Sequence, residues 1–88
     1  MAWRIEFVPE AAKELKKLGS AEAARIIATL DTRIAELDDP RSLGSALTGE
    51  LGGLWRWRIG DNRVVARIVD DRITILVVRV GHRREVYR

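Results

Sequence analysis

The stretch GLWRWRIGDNRVVARIV, residues 53–69, alternates apolar and basic residues on both sides of a Gly-Asp-Asn segment. Two alternating runs joined by turn-forming residues are typical of a β-hairpin with one buried face. A two-residue turn at Asp61-Asn62 gives this hairpin a continuous apolar face. In that register Ile59 lies opposite Val64, Trp57 opposite Ala66 and Trp55 opposite Ile68. We therefore expect the two tryptophans to pack in the core.

The other face of the hairpin carries guanidinium groups, and we call it the arginine face (Arg56, Arg58, Arg63 and Arg67). The same register places Arg56 directly opposite Arg67. Opposed like charges on a sheet cost about 0.2–1 kcal/mol, and a phosphate between them would relieve the repulsion. Exposed arginines on a hairpin also protect edges and aid solubility. Four on one face favour an anion-binding site, with Arg67 nearer its periphery.

The rest of the chain predicts two helices before the hairpin and one strand after it. Residues 3–7 alternate as a strand does, and Pro9 then begins a helix that ends before Gly19. An apolar stripe from Ala23 to Leu37 predicts a second helix, and 41–53 predicts a loop. Residues 73–80 are nearly all apolar, as in a central strand. These elements predict a single α+β domain over 1–88, with the order β-α-α-β-β-β and two N-terminal helices packed on a small antiparallel sheet.

Composition limits the class of protein and its compartment. The chain is 47% hydrophobic and 33% charged, and it contains no cysteine. These fractions are typical of an ordinary soluble domain, and the lack of cysteine fits a reducing cytoplasm. The N-terminus carries charges where a signal peptide needs an apolar run, and the longest apolar run, 73–78, is too short to span a bilayer. With one histidine and no thiolate, we predict neither a metal nor another cofactor.

The charge is distributed unevenly. Residues 1–50 hold 7 basic and 9 acidic side chains, whereas residues 51–88 hold 9 basic and 4 acidic ones. All three lysines lie in the first half, and every basic residue after Glu50 is arginine. Arginine binds phosphate oxygens in a bidentate manner, so this half favours a polyanion such as RNA or DNA as partner.

The C-terminal segment supplies the candidate proton-transfer groups. His82 is the only imidazole, a group whose ordinary pKa of about 6.5 lies near neutral pH. A phenol such as that of Tyr87 ordinarily has a pKa of about 10 and needs cationic neighbours before it can take a proton. A single histidine in a tail is more often solvated, and a single tyrosine more often packs.

Three segments of this sequence resemble the RelE/ParE superfamily of toxins from bacterial toxin–antitoxin systems. They are residues 9–18, residues 53–65, and the pair of motifs at 80–83 and 86–88. The resemblance covers nearly the whole chain, and the last two segments are its specific part. RelE-like members are ribosome-dependent RNases that cut mRNA in the A site, whereas ParE-like members poison DNA gyrase. The arginines and the terminal tyrosine place this chain nearer the RelE side.

The resemblance also implies roles for individual residues. Arg63 matches the family's phosphate-binding arginine, Arg83 its proposed acid and Tyr87 its tyrosine near the scissile phosphate. Arg56 and Arg58 match basic positions on its strand, where well-studied relatives carry lysines. The implied partners are a cognate antitoxin, in a hetero-oligomer with the toxin, and mRNA on the ribosome.

RNA can be cut without metal because its 2′-hydroxyl can attack the adjacent phosphorus. The protein must then supply a base, an acid and cations around the phosphoryl oxygens. We predict an endoribonuclease that works in this way. The catalytic candidates are Arg58, Arg63, His82, Arg83 and Tyr87, and the further RNA contacts are Arg56, Arg67 and Arg84. A gyrase inhibitor of the ParE kind and a non-catalytic RNA-binding module are the alternatives.

Overall fold

The computed structural model describes residues 2–82, so the predicted site residues Arg83, Arg84 and Tyr87 lie outside the described part. Two α-helices and five strands occur within this range. The helices are α1, Pro9–Lys17, and α2, Ser20–Thr29, and the strands are β1, Arg4–Phe7, β2, Ser45–Ala46, β3, Trp55–Ile59, β4, Asn62–Val69, and β5, Thr74–His82. Within these residues, no helix is both long enough and apolar enough to cross a membrane.

The strands form one sheet in the order β1-β5-β4-β3-β2. This arrangement confirms the α+β class and the packing of two helices on a sheet. It differs from the prediction in two details. The sheet is mixed, because β1 pairs in parallel with β5, and it contains a fifth strand, β2, that pairs with β3. Parallel pairing needs a long crossover between the two strands, and the helices and the hairpin provide it here.

The helices follow from local sequence. Pro9 occupies the first turn of α1, Glu10 lies in that turn, and basic residues occupy its last turn, as the helix dipole favours. The predicted apolar stripe of the second helix continues past α2, but the geometry changes. Leu30–Ile34 form a π-helical turn, in which the Ala35 amide donates to the Leu30 carbonyl at 2.7 Å. This turn keeps Leu30 and Ile34 on the buried side.

The core lies between the helices and one face of the sheet. Its fully buried members include Ala11, Ile26, Leu30, Val64, Ala66, Ile75, Val77 and Val80. Trp57 lies among them with 2% of its surface exposed, and its indole Nε1 donates to the Pro40 carbonyl at 3.1 Å. Trp55 packs against the edge of this cluster. Both tryptophans are therefore core residues, as predicted.

The hairpin register differs from the predicted one. The turn is formed by Gly60-Asp61, so that Arg58 pairs with Arg63 and Ile59 with Asn62. The predicted turn at Asp61-Asn62 is therefore wrong. Gly60 adopts φ +63°, and a positive φ at the first central residue of a two-residue turn favours glycine. Because each partner moves by two residues, every side chain remains on its predicted face.

Candidate nucleic-acid interface

The arginine face contains one directly opposed pair of cations. Arg58 of β3 lies opposite Arg63 of β4, while Arg56 lies opposite Val65. The predicted opposition of Arg56 and Arg67 is wrong, because the turn begins one residue earlier. Arg56 is instead a diagonal neighbour of both Arg63 and Arg67, a spacing of about 7–8 Å.

The members of the arginine face differ in their exposure and in their ion pairs. Arg58 and Arg67 are exposed, and Arg56 and Arg63 are half-buried. The ion pairs between described residues involve Arg4, Arg41 and Arg79, and none of Arg56, Arg58 and Arg67. The arrangement therefore concentrates positive charge that an anion can neutralise.

Helix α2 holds the turn of the hairpin in place. The Asn62 side-chain amide donates to Glu22 of α2 at 2.8 Å, and Asn62 is only 5% exposed. The guanidinium of Arg25 covers Gly60, since a Cβ at that glycine would lie 2.9 Å from its Nη1. The Asn62–Glu22 hydrogen bond ties to α2 the end of the hairpin where Arg58 and Arg63 meet. Sequence reasoning missed this bond, because no local pattern links residues 40 positions apart.

A bulge in β5 decides which groups reach the arginine face. Val65 pairs with Arg79 and Ala66 with Val77, which leaves Val78 as an extra residue in β5. After the bulge, Gly81 pairs with Arg63, and His82 pairs with Asn62 at the end of the strand. Because side chains alternate between faces, this register places the exposed His82 on the helix side of the sheet, away from the arginine face.

Glu14 of α1 secures the same end of β5. Strand β1 pairs with β5 only as far as Phe7 and Val77. Beyond it, the Val80 amide donates to Glu14 Oε1 at 2.9 Å, and Arg79 Nε lies 3.2 Å from Glu14 Oε2. The Glu14 carboxylate thus accepts a hydrogen bond at an edge of β5 with which β1 no longer pairs. Arg79 is thus paired with an acidic residue of α1 at the edge of the sheet.

Arg41 joins the loop before β2 to the far end of the hairpin. Its guanidinium makes two hydrogen bonds to Asp70, at 3.1 and 2.7 Å, and lies 5.8 Å from the centre of the Trp55 ring. These hydrogen bonds lower the pKa of the Asp70 carboxyl and raise the pKa of Arg41. The bridge therefore fastens the 3₁₀ turn Pro40–Leu43 beside the sheet.

Three clefts border Arg58. The largest, about 410 Å³, is lined by Leu43, Ser45, Arg56 and Arg58. A second, about 130 Å³, continues past Leu43 toward α2, and a third, about 70 Å³, lies at the turn between Arg58 and Arg63. Within residues 2–82, no group of three or more His, Asp or Glu side chains is placed to hold a metal ion. Arg58 lines all three clefts, and Asp61 also lines the third.

The structure is that of a small α+β protein with helices on one face of its sheet and arginines on the other, and sequence comparison identifies its family. The profile described as "ParE toxin of type II toxin-antitoxin system, parDE" matches residues 5–87. The chain belongs to the RelE/ParE superfamily of type II toxin–antitoxin toxins.

Individual relatives carry RelE names. The chain is 30% identical over 89 residues to Toxin RelG of Mycobacterium tuberculosis, covering 100% of this chain and 99% of that protein. It matches the toxin–antitoxin complex RelBE2 of the same organism with a TM-score of 0.86 and 27% identity, covering 97% and 95% of the two chains. A variant of the E. coli toxin RelE in the free state matches with a TM-score of 0.77 and 25% identity, covering 99% and 92%.

Proposed function

We propose that this toxin is a metal-independent endoribonuclease that cleaves mRNA, in the ribosomal A site, by attack of a 2′-hydroxyl on the adjacent phosphate. The observation that carries the proposal is the opposed pair of Arg58 and Arg63, with Arg56 diagonal to Arg63. Three cations around one small area match the charge that develops on the phosphoryl oxygens in the transition state. The RelE names of the relatives support the same reading.

The arginines stabilise charge, because a guanidinium stays protonated and cannot serve as an ordinary base. Arg83 matches the family's proposed acid and Tyr87 its tyrosine near the scissile phosphate. We assign proton transfer to Tyr87, stabilisation of charge on the leaving oxygen to Arg83, because its guanidinium keeps its proton, and a further RNA contact to Arg84. His82 has weaker support than Tyr87, because the register of β5 places it on the other side of the sheet. We therefore expect His82→Asn to reduce cleavage less than Tyr87→Phe does.

The proposed partners are a cognate antitoxin and mRNA on the ribosome in the cytoplasm. RelBE2 of M. tuberculosis and RelBE of E. coli are both described as toxin–antitoxin complexes, and their toxin folds match this chain. An acidic or amphipathic antitoxin segment would neutralise the arginine face. The complex of the two proteins is then a hetero-oligomer in which the toxin is inactive.

Inhibition of DNA gyrase is the second candidate function, because the matching profile is named for ParE. ParE-like members of the family lack the nuclease groups. A plain RNA-binding module without chemistry uses the same arginine face and forms the third candidate.

Cleavage of mRNA on programmed ribosomes tests the proposal. We expect wild type to cut the message, and Arg63→Ala and Tyr87→Phe to lower the rate by about 10²- to 10³-fold with the fold intact. Arg72→Ala is the matched control, since Arg72 is an exposed arginine in the turn before β5.

Two other results would overturn the nuclease. If gyrase supercoiling is blocked while mRNA stays whole, the ParE reading is correct. If the substitutions only weaken RNA binding uniformly and reduce its salt dependence, the protein is a binding module.

A further inference from the structure

The edge of β3 is covered along only part of its length. Strand β2 pairs with β3 at two positions, Ser45 with Arg56 and Ala46 with Trp55. The residues before β2 turn into the 3₁₀ segment Pro40–Leu43 and do not continue the pairing toward Arg58. A cleft of about 410 Å³ therefore opens beside Arg58, and we call it the edge cleft (Leu43, Ser45, Arg56 and Arg58).

The walls of the edge cleft are held firmly. Gly44 crosses close over Trp57, where a Cβ would lie 3.0 Å from the indole Nε1 and 3.3 Å from the Arg56 carbonyl. The same Nε1 donates to the carbonyl of Pro40, at the start of the 3₁₀ segment that leads to Gly44. Leu43 and Ser45, on either side of this glycine, are thus placed by a buried anchor, although Leu43 itself is 52% exposed.

The chemistry of the cleft suits a nucleobase. Of the four described residues that line it, three are polar or cationic, and Leu43 supplies the apolar surface. Unpaired bases are recognised by stacking on apolar groups or guanidinium planes and by hydrogen bonds to their edges, for which a serine hydroxyl is suited. The smaller cleft beyond Leu43 adds Thr29 and Arg33, and among residues 2–82 no carboxylate lines either cleft.

Arg58 connects this cleft to the arginine face. It lines the edge cleft and also lies opposite Arg63. A nucleotide carries its base next to its phosphate, so one residue can border both groups. An amphipathic helix, by contrast, needs several apolar anchors along a groove, and within the described part of the chain the edge cleft offers a single leucine.

We propose that the edge cleft binds the base of a nucleotide adjacent to the phosphate on the arginine face, and that Leu43 and Ser45 determine which base is preferred. The inference rests on the proposed function, since it takes single-stranded RNA as the ligand. It adds a specificity site to the charge-stabilising arginines.

Binding of short RNA to the full chain tests the inference without requiring cleavage. The probes are four single-stranded RNA oligomers that differ at one base and carry a 2′-deoxy nucleotide 5′ of the target phosphate, so that no attacking hydroxyl is present. NMR of methyl-labelled protein follows the Leu43 methyl groups. We expect them to shift on titration and the four oligomers to differ in affinity.

Variants separate recognition from general binding. Leu43→Ala is expected to weaken the preferred oligomer about five- to tenfold and to reduce the differences among the four. Ser45→Ala is expected to change their ranking. Ile27→Ala is the matched control, because Ile27 is a comparably exposed apolar residue, at 41%, that lines neither cleft.

The failures are distinguishable. Unshifted Leu43 methyl groups, equal affinity for all four oligomers, or a Leu43→Ala variant that loses only antitoxin affinity would overturn the inference, the last by assigning the cleft to a protein partner. If wild type fails to cut mRNA but Leu43 still discriminates bases, the nuclease is wrong and the cleft assignment stands. If Leu43→Ala cuts with an unchanged base distribution, the inference fails and the nuclease stands.

Discussion

Successive residues of β3 lie on opposite faces of the sheet, one packed against the helices and the other facing solvent. Trp57 and Ile59 face the helices and are 2% and 4% exposed, whereas Arg58 between them is exposed on the arginine face. Burial of the packed face stabilises the fold because it removes apolar surface from water. The arginine face gathers like charges that repel one another. One alternating strand therefore combines a stabilising apolar surface with a surface of like charges, to which we assign the proposed anion site.

The packed face also determines the geometry of the cationic one. Because Trp57 pairs with Val64 in the core, Arg58 must lie opposite Arg63. If the pairing of β3 with β4 shifted by two residues, all the arginines would remain on the same face. Arg58 and Arg63 would then no longer lie opposite each other. The position of the opposed arginine pair, where we propose that an anion binds, is thus a consequence of core packing.

Replacing Trp57 should produce the largest change in stability. Trp57→Ala removes a buried ring and its bond to Pro40, and we expect a loss of about 3–5 kcal/mol in the free energy of unfolding. Arg56→Ala, one residue away on the other face, should stay within about 0.5 kcal/mol of wild type. Urea unfolding measures both. Equal losses would contradict the division between the faces.

Glu14 is the carboxylate partner of Arg79, an arginine that does not belong to the arginine face. Replacing Glu14 measures how much this pairing contributes to stability. Glu14→Ala leaves Val80 N–H and Arg79 without their acceptor, and we expect a loss of about 1–2 kcal/mol. Glu14→Gln keeps an acceptor for the amide and should lose less. Amide exchange at Val80 should accelerate in the alanine variant. Unchanged exchange would show that the carboxylate does not secure β5.

Gly60 tests the turn that sets the register. Gly60→Ala forces a side chain into positive φ and toward Arg25, and we expect it to cost about 1–2 kcal/mol. Gly53→Ala is the control, since Gly53 has φ +88° and no neighbour within 4 Å of its Cβ position. A Gly60→Ala variant as stable as wild type would contradict a turn that depends on positive φ at Gly60.

The Arg41–Asp70 bridge should give the smallest effect, because Asp70 is exposed. The hydrogen bonds from Arg41 lower the pKa of Asp70 in the folded state. The bridge therefore adds stability above the ordinary aspartate pKa of about 3.9 and loses it as pH falls through the folded value. Asp70→Asn should lower the melting temperature slightly at pH 7 and match wild type near pH 2. Asp71→Asn, next to the bridge, is the control.

Local pattern predicted most of the fold. Alternation identified β1 and the hairpin, and Pro9 and the apolar stripe identified the helices. Strand β2 was missed because two residues carry no period. The parallel pairing of β1 with β5 is a tertiary contact between distant residues. The turn was misplaced although Gly60 carried the signal, since glycine is favoured at the first turn position.

The site was predicted less completely, for two physical reasons. Alternation alone determines which residues lie on the arginine face, so its four residues were predicted correctly. Which two arginines lie opposite each other depends on the position of the turn, and that pair was predicted wrongly. The position of His82 depends on the extra residue Val78, because one inserted residue moves everything after it to the other face. Glu14 and Leu43 take part only through contacts that the fold creates.

The most direct test is the stability of Arg58→Ala and wild type, each with and without a non-cleavable single-stranded RNA oligomer. Without RNA, the variant should be as stable as wild type or slightly more stable, since one member of the opposed pair is gone. With RNA, wild type should gain clearly more stability than the variant, because the ligand binds the folded arginine face. A variant that is less stable without RNA by more than about 1 kcal/mol and gains as much from RNA as wild type would contradict an anion site at Arg58 and Arg63.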